Sequence, residues 1–127
     1  MPLNVRVDHE RRLIFAEGIG AVTDSDLLAY VEEYLSEQEL MSYDELFDLT
    51  TADLLDLTYQ GLGRVASAAA ATDPEADPTK IAILVSETLQ MGLSRMYQSL
   101  REVKGGRRHT RVFTDQAECN EWLGISS

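Results

Sequence analysis

Lys80 to Leu100 reads KIAILVSETLQMGLSRMYQSL, and the fold turns on it. Ile81-Ala82-Ile83-Leu84-Val85 is an unbroken apolar run with β-branched residues. A strand that is apolar on both sides has both faces covered, which predicts a central, parallel strand. From Ser86 onward the period lengthens: Leu89, Leu93, Met96, Tyr97 and Leu100 recur on one face of a helix. Met91, Arg95 and Gln98 fall on the other side, where an apolar residue beside Arg and Gln marks an interface or a ligand rim. This is one strand–turn–helix unit, and its neighbours in sequence fall into place beside it.

Toward the N-terminus, Leu3, Val5 and Val7 alternate with polar residues, and Leu13-Ile14-Phe15-Ala16 resumes after the polar turn Asp8–Arg11. Two strands so close in sequence pair antiparallel, because a parallel return needs a long crossover. Thr23, with Asp26 three residues on, predicts a helix N-terminus; Leu27, Leu28, Val31, Tyr34 and Leu35 form its apolar face to about Glu39. Glu45–Leu49 is a third strand, with Tyr43 leading in, and Thr50–Asp53 reads as a loop. A second helix is expected from near Thr58, bounded by Asp56 or Leu57, with Leu62, Val65, Ala66 and Ala69 inward; Gly61 and Gly63 weaken its first turns. Asp73–Pro78, interrupted by Pro74 and Pro78, cannot continue a helix and reads as an acidic surface loop. Toward the C-terminus, Lys104–Arg108 is a turn, Thr110–Phe113 the last strand, and Asp115 the cap of a final helix. Cys119, Trp122 and Leu123 point inward from that helix, and Gly124 ends it.

The order is ββαβαβαβα. After the opening hairpin, strands alternate with helices, so the expected architecture is α/β: a mixed, mostly parallel five-stranded sheet with flanking helices, as one domain over residues 1–127. A chain of 127 residues buries a real core without staples.

Lys and Arg total 11 against 22 Asp and Glu, a formal charge of −11. So acidic a surface argues against nucleic acid or anionic membranes as partners. Cys119 stands alone, which excludes an intrachain disulfide or a cysteine-based zinc site. The N-terminus lacks the apolar segment of a signal peptide, and no apolar run approaches the ~20 residues that span a bilayer. The expectation is a cytoplasmic protein without membrane insertion.

Catalytic patterns are sparse. Asp48, Asp53 and Asp56 gather where the carboxyl ends of the strands are expected, the usual ligand end of such sheets, and carboxylates there suit Mg²⁺ or acid/base work. The simpler reading is caps and solvated loops. A phosphoryl-receiver site needs a lysine at the end of a late strand, but the last strand ends Phe113-Thr114-Asp115. The turn after Val85 has no glycine, and Glu87 opposes an anion there. His9 and His109, the only histidines, both sit among charged residues. Lys104, Arg107, Arg108 and Arg111 form the one basic cluster, suited to an acidic partner or a second subunit. No metal, cofactor or catalytic residue is expected.

Three segments together resemble the SpoIIAA-like group of the STAS fold, also described as STAS/SEC14-like. They are Phe47-Asp48-Leu49-Thr50 with Asp56-Leu57-Thr58; Met91-Gly92-Leu93-Ser94-Arg95-Met96-Tyr97-Gln98; and Val112-Phe113-Thr114-Asp115 leading to Glu121-Trp122-Leu123. The resemblance spans nearly the whole chain. It implies a non-enzymatic regulatory or protein-interaction module. Better-known STAS relatives are anti-sigma-factor antagonists, switched by phosphorylation of a serine that opens the helix after the third strand. Thr58 takes that phospho-acceptor place, although the preceding serine and following glycine of the family's turn are absent here. The SEC14-like side implies a lipid or small apolar ligand between sheet and helices, with Tyr34, Tyr59, Met91 and Tyr97 as lining candidates. Two readings follow: an interaction module that binds a protein partner or itself as a homodimer, and a carrier of a small apolar ligand. Tyr59, Met91, Arg95 and Gln98 are the candidate pocket or interface residues, and Thr58 the candidate phosphosite.

Overall fold

Side chains alternate across a strand, so each strand of a covered sheet serves two layers. In the computed structural model, which describes residues 2–74 and 79–125, that alternation sorts the core. Strands β1 (Leu3–Asp8), β2 (Leu13–Ala21), β3 (Asp44–Asp53), β4 (Lys80–Leu84) and β5 (His109–Phe113) form one sheet in the order β1-β2-β3-β4-β5. The first pair is antiparallel and the rest are parallel, as expected. Helices α1 (Asp24–Tyr30), α2 (Tyr59–Ala70) and α3 (Thr88–Val103) are the crossovers, and α4 (Gln116–Leu123) follows β5.

The sequential strand order has a consequence. Right-handed crossovers that all step in one direction place their helices on the same face. Accordingly Ile14, Ala16, Phe47, Ile81, Ile83 and Val85 pack toward α1–α3, while Leu13, Leu46, Ala82, Leu84 and Phe113 pack toward α4. The order never reverses, so the crevice that forms at a topological switch point in other α/β sheets has no counterpart here.

Three expectations need correcting. The first helix does not continue as α-helix toward Glu39. It gives way to a π-helical turn, Val31–Leu35, closed by the Ser36 amide donating to the Val31 carbonyl, and then to a short 3₁₀ turn, Gln38–Leu40. The wider π turn keeps Tyr30, Val31 and Leu35 all buried. Residues 50–53 are strand, not loop, because β2 also runs on. Past an irregularity between Glu17 and Ile19 the two strands pair again, Ile19 with Thr51 and Ala21 with Asp53. Gly18 sits at that irregularity, where a Cβ would lie 3.0 Å from the Ala52 Cβ and 3.1 Å from Leu49. Third, α2 is capped by Thr58, not bounded at Asp56 or Leu57: its hydroxyl accepts from the Gly61 amide at 2.9 Å. A side chain at Gly61 would collide with the Asp24 carboxylate, which itself accepts from the Thr58 amide and hydroxyl.

Candidate functional site

Between the sheet and α1–α3 lies a cavity of about 70 Å³. The odd-numbered residues of β3 and β4 supply its floor: Glu45, Phe47 and Leu49, with Ile81 and Ile83. Tyr30, Val31 and Leu35 wall it from α1 and its π turn; Leu62 and Ala69 from α2; Leu93, Ser94 and Tyr97 from α3. The lining is nearly all hydrocarbon; the Tyr30 hydroxyl and the Glu45 carboxylate, bonded to each other, form its polar end, and Ser94 and Tyr97 add two further hydroxyls.

That polar end is built with care. The Tyr30 hydroxyl donates to Glu45 Oε1 at 2.9 Å, and the Tyr30 ring meets Phe47 edge-on at 4.8 Å. Glu45 is 2% exposed, and its other oxygen, Oε2, lies 3.4 Å from the Arg108 guanidinium without forming a hydrogen bond. Ser94 Oγ is also buried without a partner among the described residues. Burial and the Glu45 carboxylate push the Tyr30 phenol well above its usual range. Burial likewise raises Tyr97, against the pull of Arg101. Both phenols therefore stay protonated at any ordinary pH and offer O–H donors.

Behind Glu45 runs a chain of buried charges. Asp73 Oδ1 accepts from Arg101 at 2.8 Å and from Arg108 at 3.1 Å, and Asp73 Oδ2 accepts from the Arg107 amide at 2.7 Å. Arg108 also donates to the Tyr43 and Met41 carbonyls, both at 2.8 Å. The sequence places Asp73 in an acidic surface loop and Arg108 in a turn. Both are instead buried, at 4% and 6% exposure. Their partners lie 28 to 67 residues away along the chain, so no local pattern signals them.

The residues singled out from sequence scatter. Tyr97 lines the cavity. Tyr34 stacks on Tyr30 at 5.6 Å but lies outside the lining, as does Met91, which packs against the Val22–Val85 cluster. Tyr59 is 63% exposed and borders a surface groove between α2 and α3. Arg95 is exposed, and Gln98 reaches across to the Thr110 carbonyl at 2.7 Å. Tyr59, Met91, Arg95 and Gln98 thus do not converge on one pocket. Glu45 and Ser94 were missed; the signal for both was a polar residue at an inward position, Glu45 two before Phe47 in a strand and Ser94 between Gln90 and Tyr97 on a helix face.

The rim carboxylates hold turns together. Asp48 accepts from the Thr50 amide and hydroxyl, Asp53 from the Leu55 amide, and Asp115 from the amides of Ala117 and Glu118. Among the described residues no three His, Cys, Asp or Glu side chains gather closely enough to hold a metal ion. No helix among them is long and apolar enough to cross a membrane.

No family model and no curated protein matches the sequence. Among solved structures, the chain is similar to an uncharacterized protein of the DUF3478 family from Shewanella loihica PV-4, which has a SpoIIAA-like fold. The superposition has a TM-score of 0.57 and covers 95% of this chain and 91% of the other, at 16% identity. The fold of this chain is SpoIIAA-like, as the sequence resemblance implied.

Proposed function

We propose that this SpoIIAA-like domain is a non-enzymatic binding module that takes a small molecule, apolar along its body and polar at one end, into the cavity over β3 and β4. What carries the reading is an otherwise hydrocarbon space lined also by Glu45 and by Ser94, whose buried hydroxyl has no hydrogen-bond partner among the described residues. Leaving such a group unsatisfied costs about 1–3 kcal/mol, and a guest with a donor at one end removes that cost. The volume limits the guest. Sites for drug-sized ligands run to about 300–1,000 Å³, and a cavity of about 150 Å³ takes benzene. About 70 Å³ is less than half of that, so a guest as large as a five-carbon alcohol enters only as α1 and its π turn swing outward.

Methyl NMR with 1-pentanol as the guest tests the reading. Shifts confined to Leu49, Ile83 and Leu93, and lost when Ser94→Leu fills the space at that hydroxyl, are the expected result. Shifts spread evenly over the surface methyls, or none up to the solubility limit, would overturn it.

A second reading, a protein-interaction module, rests on its own observation. Four of the large apolar side chains exposed among the described residues, Ile19, Leu55, Tyr59 and Leu89, lie at the carboxyl-end rim of the parallel strands, Leu55 being 75% exposed. Thr58 belongs to this rim, as the exposed cap of α2. Its hydroxyl donates to Asp24 at 2.7 Å, so a phosphate there would face a carboxylate and gain only the helix dipole in return. Intact-mass spectrometry of protein from its native cells decides the switch; Thr58 unmodified throughout removes it.

A further inference from the structure

We infer that the outer edge of β5 is a docking site for an extended, acidic segment of a partner protein. β5 ends the sheet, so one side of its backbone has no neighbouring strand. The His109 amide donates to the Thr79 carbonyl and the Phe113 carbonyl accepts from the Val85 amide, which fixes the odd-numbered residues of β5 as those facing β4. The alternation of a strand then turns the N–H and C=O groups of Thr110 and Val112 outward. Gln98 covers the Thr110 carbonyl; the amides of Thr110 and Val112 have no partner among the described residues.

A groove of about 420 Å³ runs along this edge. Its walls include Arg101, Arg107, His109, Arg111 and Trp122, and Glu102 is the only carboxylate among the described residues that line it. In a chain with twice as many acidic as basic residues, this is a concentration of cations. Arg107 spends its side-chain bonds on the Pro74 and Asp73 carbonyls, and Arg111 lies over the rings of Phe113 and Trp122 at 4.7 and 5.4 Å. Among the described residues neither pairs with a carboxylate. Among the described residues Arg101, 2% exposed, keeps two nitrogens without hydrogen-bond partners, and the buried Thr110 hydroxyl has none either. Charged side chains on an edge normally deter pairing with other strands. A strand carrying the opposite charge turns that deterrent into selection, because backbone bonds supply the attachment and the arginines choose the sequence.

Trp122 is the only tryptophan of the chain and lies in the groove wall, so its fluorescence reads occupancy directly. The probe is an acetylated peptide of alternating glutamate and valine, about eight residues long, enough to cover a five-residue strand. Saturable change in Trp122 emission, weakened about tenfold by Arg111→Glu and by added salt, is the expected result. Circular dichroism checks that the variant is folded, and Arg107→Glu provides a second variant outside the strand. The same peptide with alternate backbone nitrogens methylated, which cannot pair along an edge, should not bind. Equal binding of the methylated peptide, or of a lysine–valine peptide, overturns the inference. So does saturation by inorganic phosphate alone at the peptide's concentration, which would make the groove a small-anion site. Light scattering that shows a dimer disrupted by Arg111→Glu would assign the edge to a second copy of this chain instead.

Discussion

Two single side chains illustrate how local chemistry limits what this protein does. Thr58 caps α2 through its hydroxyl oxygen and gives its proton to Asp24. Asparagine keeps an uncharged capping group there, whereas aspartate sets a second carboxylate against Asp24. We expect Thr58→Asn to unfold within a few degrees of the parent. Thr58→Asp should lose about 1 kcal/mol, or roughly 3–5 °C in Tm, and regain it in high salt, where charge repulsion is screened. Thermal scans at low and high ionic strength measure both. Equal Tm values for the two variants at low salt would show that Asp24 does not oppose charge at this position. Cys119 is the second case. It is fully buried among Leu13, Leu84 and Phe113, and burial, with a smaller contribution from Asp48, raises its thiol from 9.0 to about 11. A raised pKa means that the folded state holds the proton longer than the unfolded one. Its stabilisation is therefore complete below pH 9 and is lost as pH rises through about 11. The lost part amounts to roughly 2–3 kcal/mol. Urea unfolding at pH 7.5 and 10.5 should show a steeper decline for the parent than for Cys119→Ala, since the buried tyrosines decline equally in both.

At the scale of elements, α3 shows where hydrophobic pattern succeeds and where it fails. The pattern located the helix but rotated it. Leu89, expected inside, is 45% exposed; Gln90 and Arg101, both polar, are 2% exposed. The inward stripe is Gln90, Ser94, Tyr97 and Arg101, while Leu93, Met96 and Leu100 turn toward α2. Gln90 is inside because the turn from β4 needs it. Its Oε1 accepts from the Ser86 and Glu87 amides at 2.8 and 3.1 Å, and its Nε2 donates to the Ala52 carbonyl at 3.0 Å. Gln90→Leu would improve the apolar pattern yet strand three backbone groups, so we expect it to lower stability by roughly 2–3 kcal/mol. A urea midpoint equal to the parent's would show that water replaces those bonds at no cost. The same distinction separates what was legible from what was not. Runs such as Ile81–Val85 and caps such as Thr23 and Asp115 announce themselves, because their causes lie within a few residues. The continuation of β3 through Thr50–Asp53 depends on β2, more than thirty residues earlier. The π turn after Tyr30 sets Val31 and Leu35 in a cluster with Ile14, Ala16, Val65 and Ala69, all distant in sequence. Neither cause is visible in a local window.

The molecule as a whole is tied by charges that the sequence displays but does not connect. Asp73 follows α2, Arg101 belongs to α3, Arg108 precedes β5, Glu45 lies in β3 and Tyr30 in α1; one chain of contacts joins all five and ends at the polar end of the cavity. Buried ion pairs add little net stability compared with apolar replacements, but removing one partner is costly because a charge is left in a low-dielectric interior. Asp73 is the shared anion of two buried guanidinium groups, so the cost should be asymmetric. Asp73→Ala should destabilise by about 3–5 kcal/mol, a large part of the 5–15 kcal/mol typical of a domain. Arg101→Met, which keeps the volume and leaves Arg108 paired with Asp73, should cost less than about 1 kcal/mol. In the double variant Arg101 is gone and Arg108 still faces Glu45 at 3.4 Å, so its loss should fall below the sum of the two single losses by more than about 1 kcal/mol. Urea unfolding of the four proteins closes the cycle. Additivity within about 0.5 kcal/mol would mean that Arg101 and Asp73 act independently. Methyl spectra of Ile83 and Leu93 in the same variants then read the functional end. If the network holds Glu45 in place, those methyls move in Asp73→Ala and stay put in Arg101→Met, although Arg101 is the closer of the two to Ser94 in sequence.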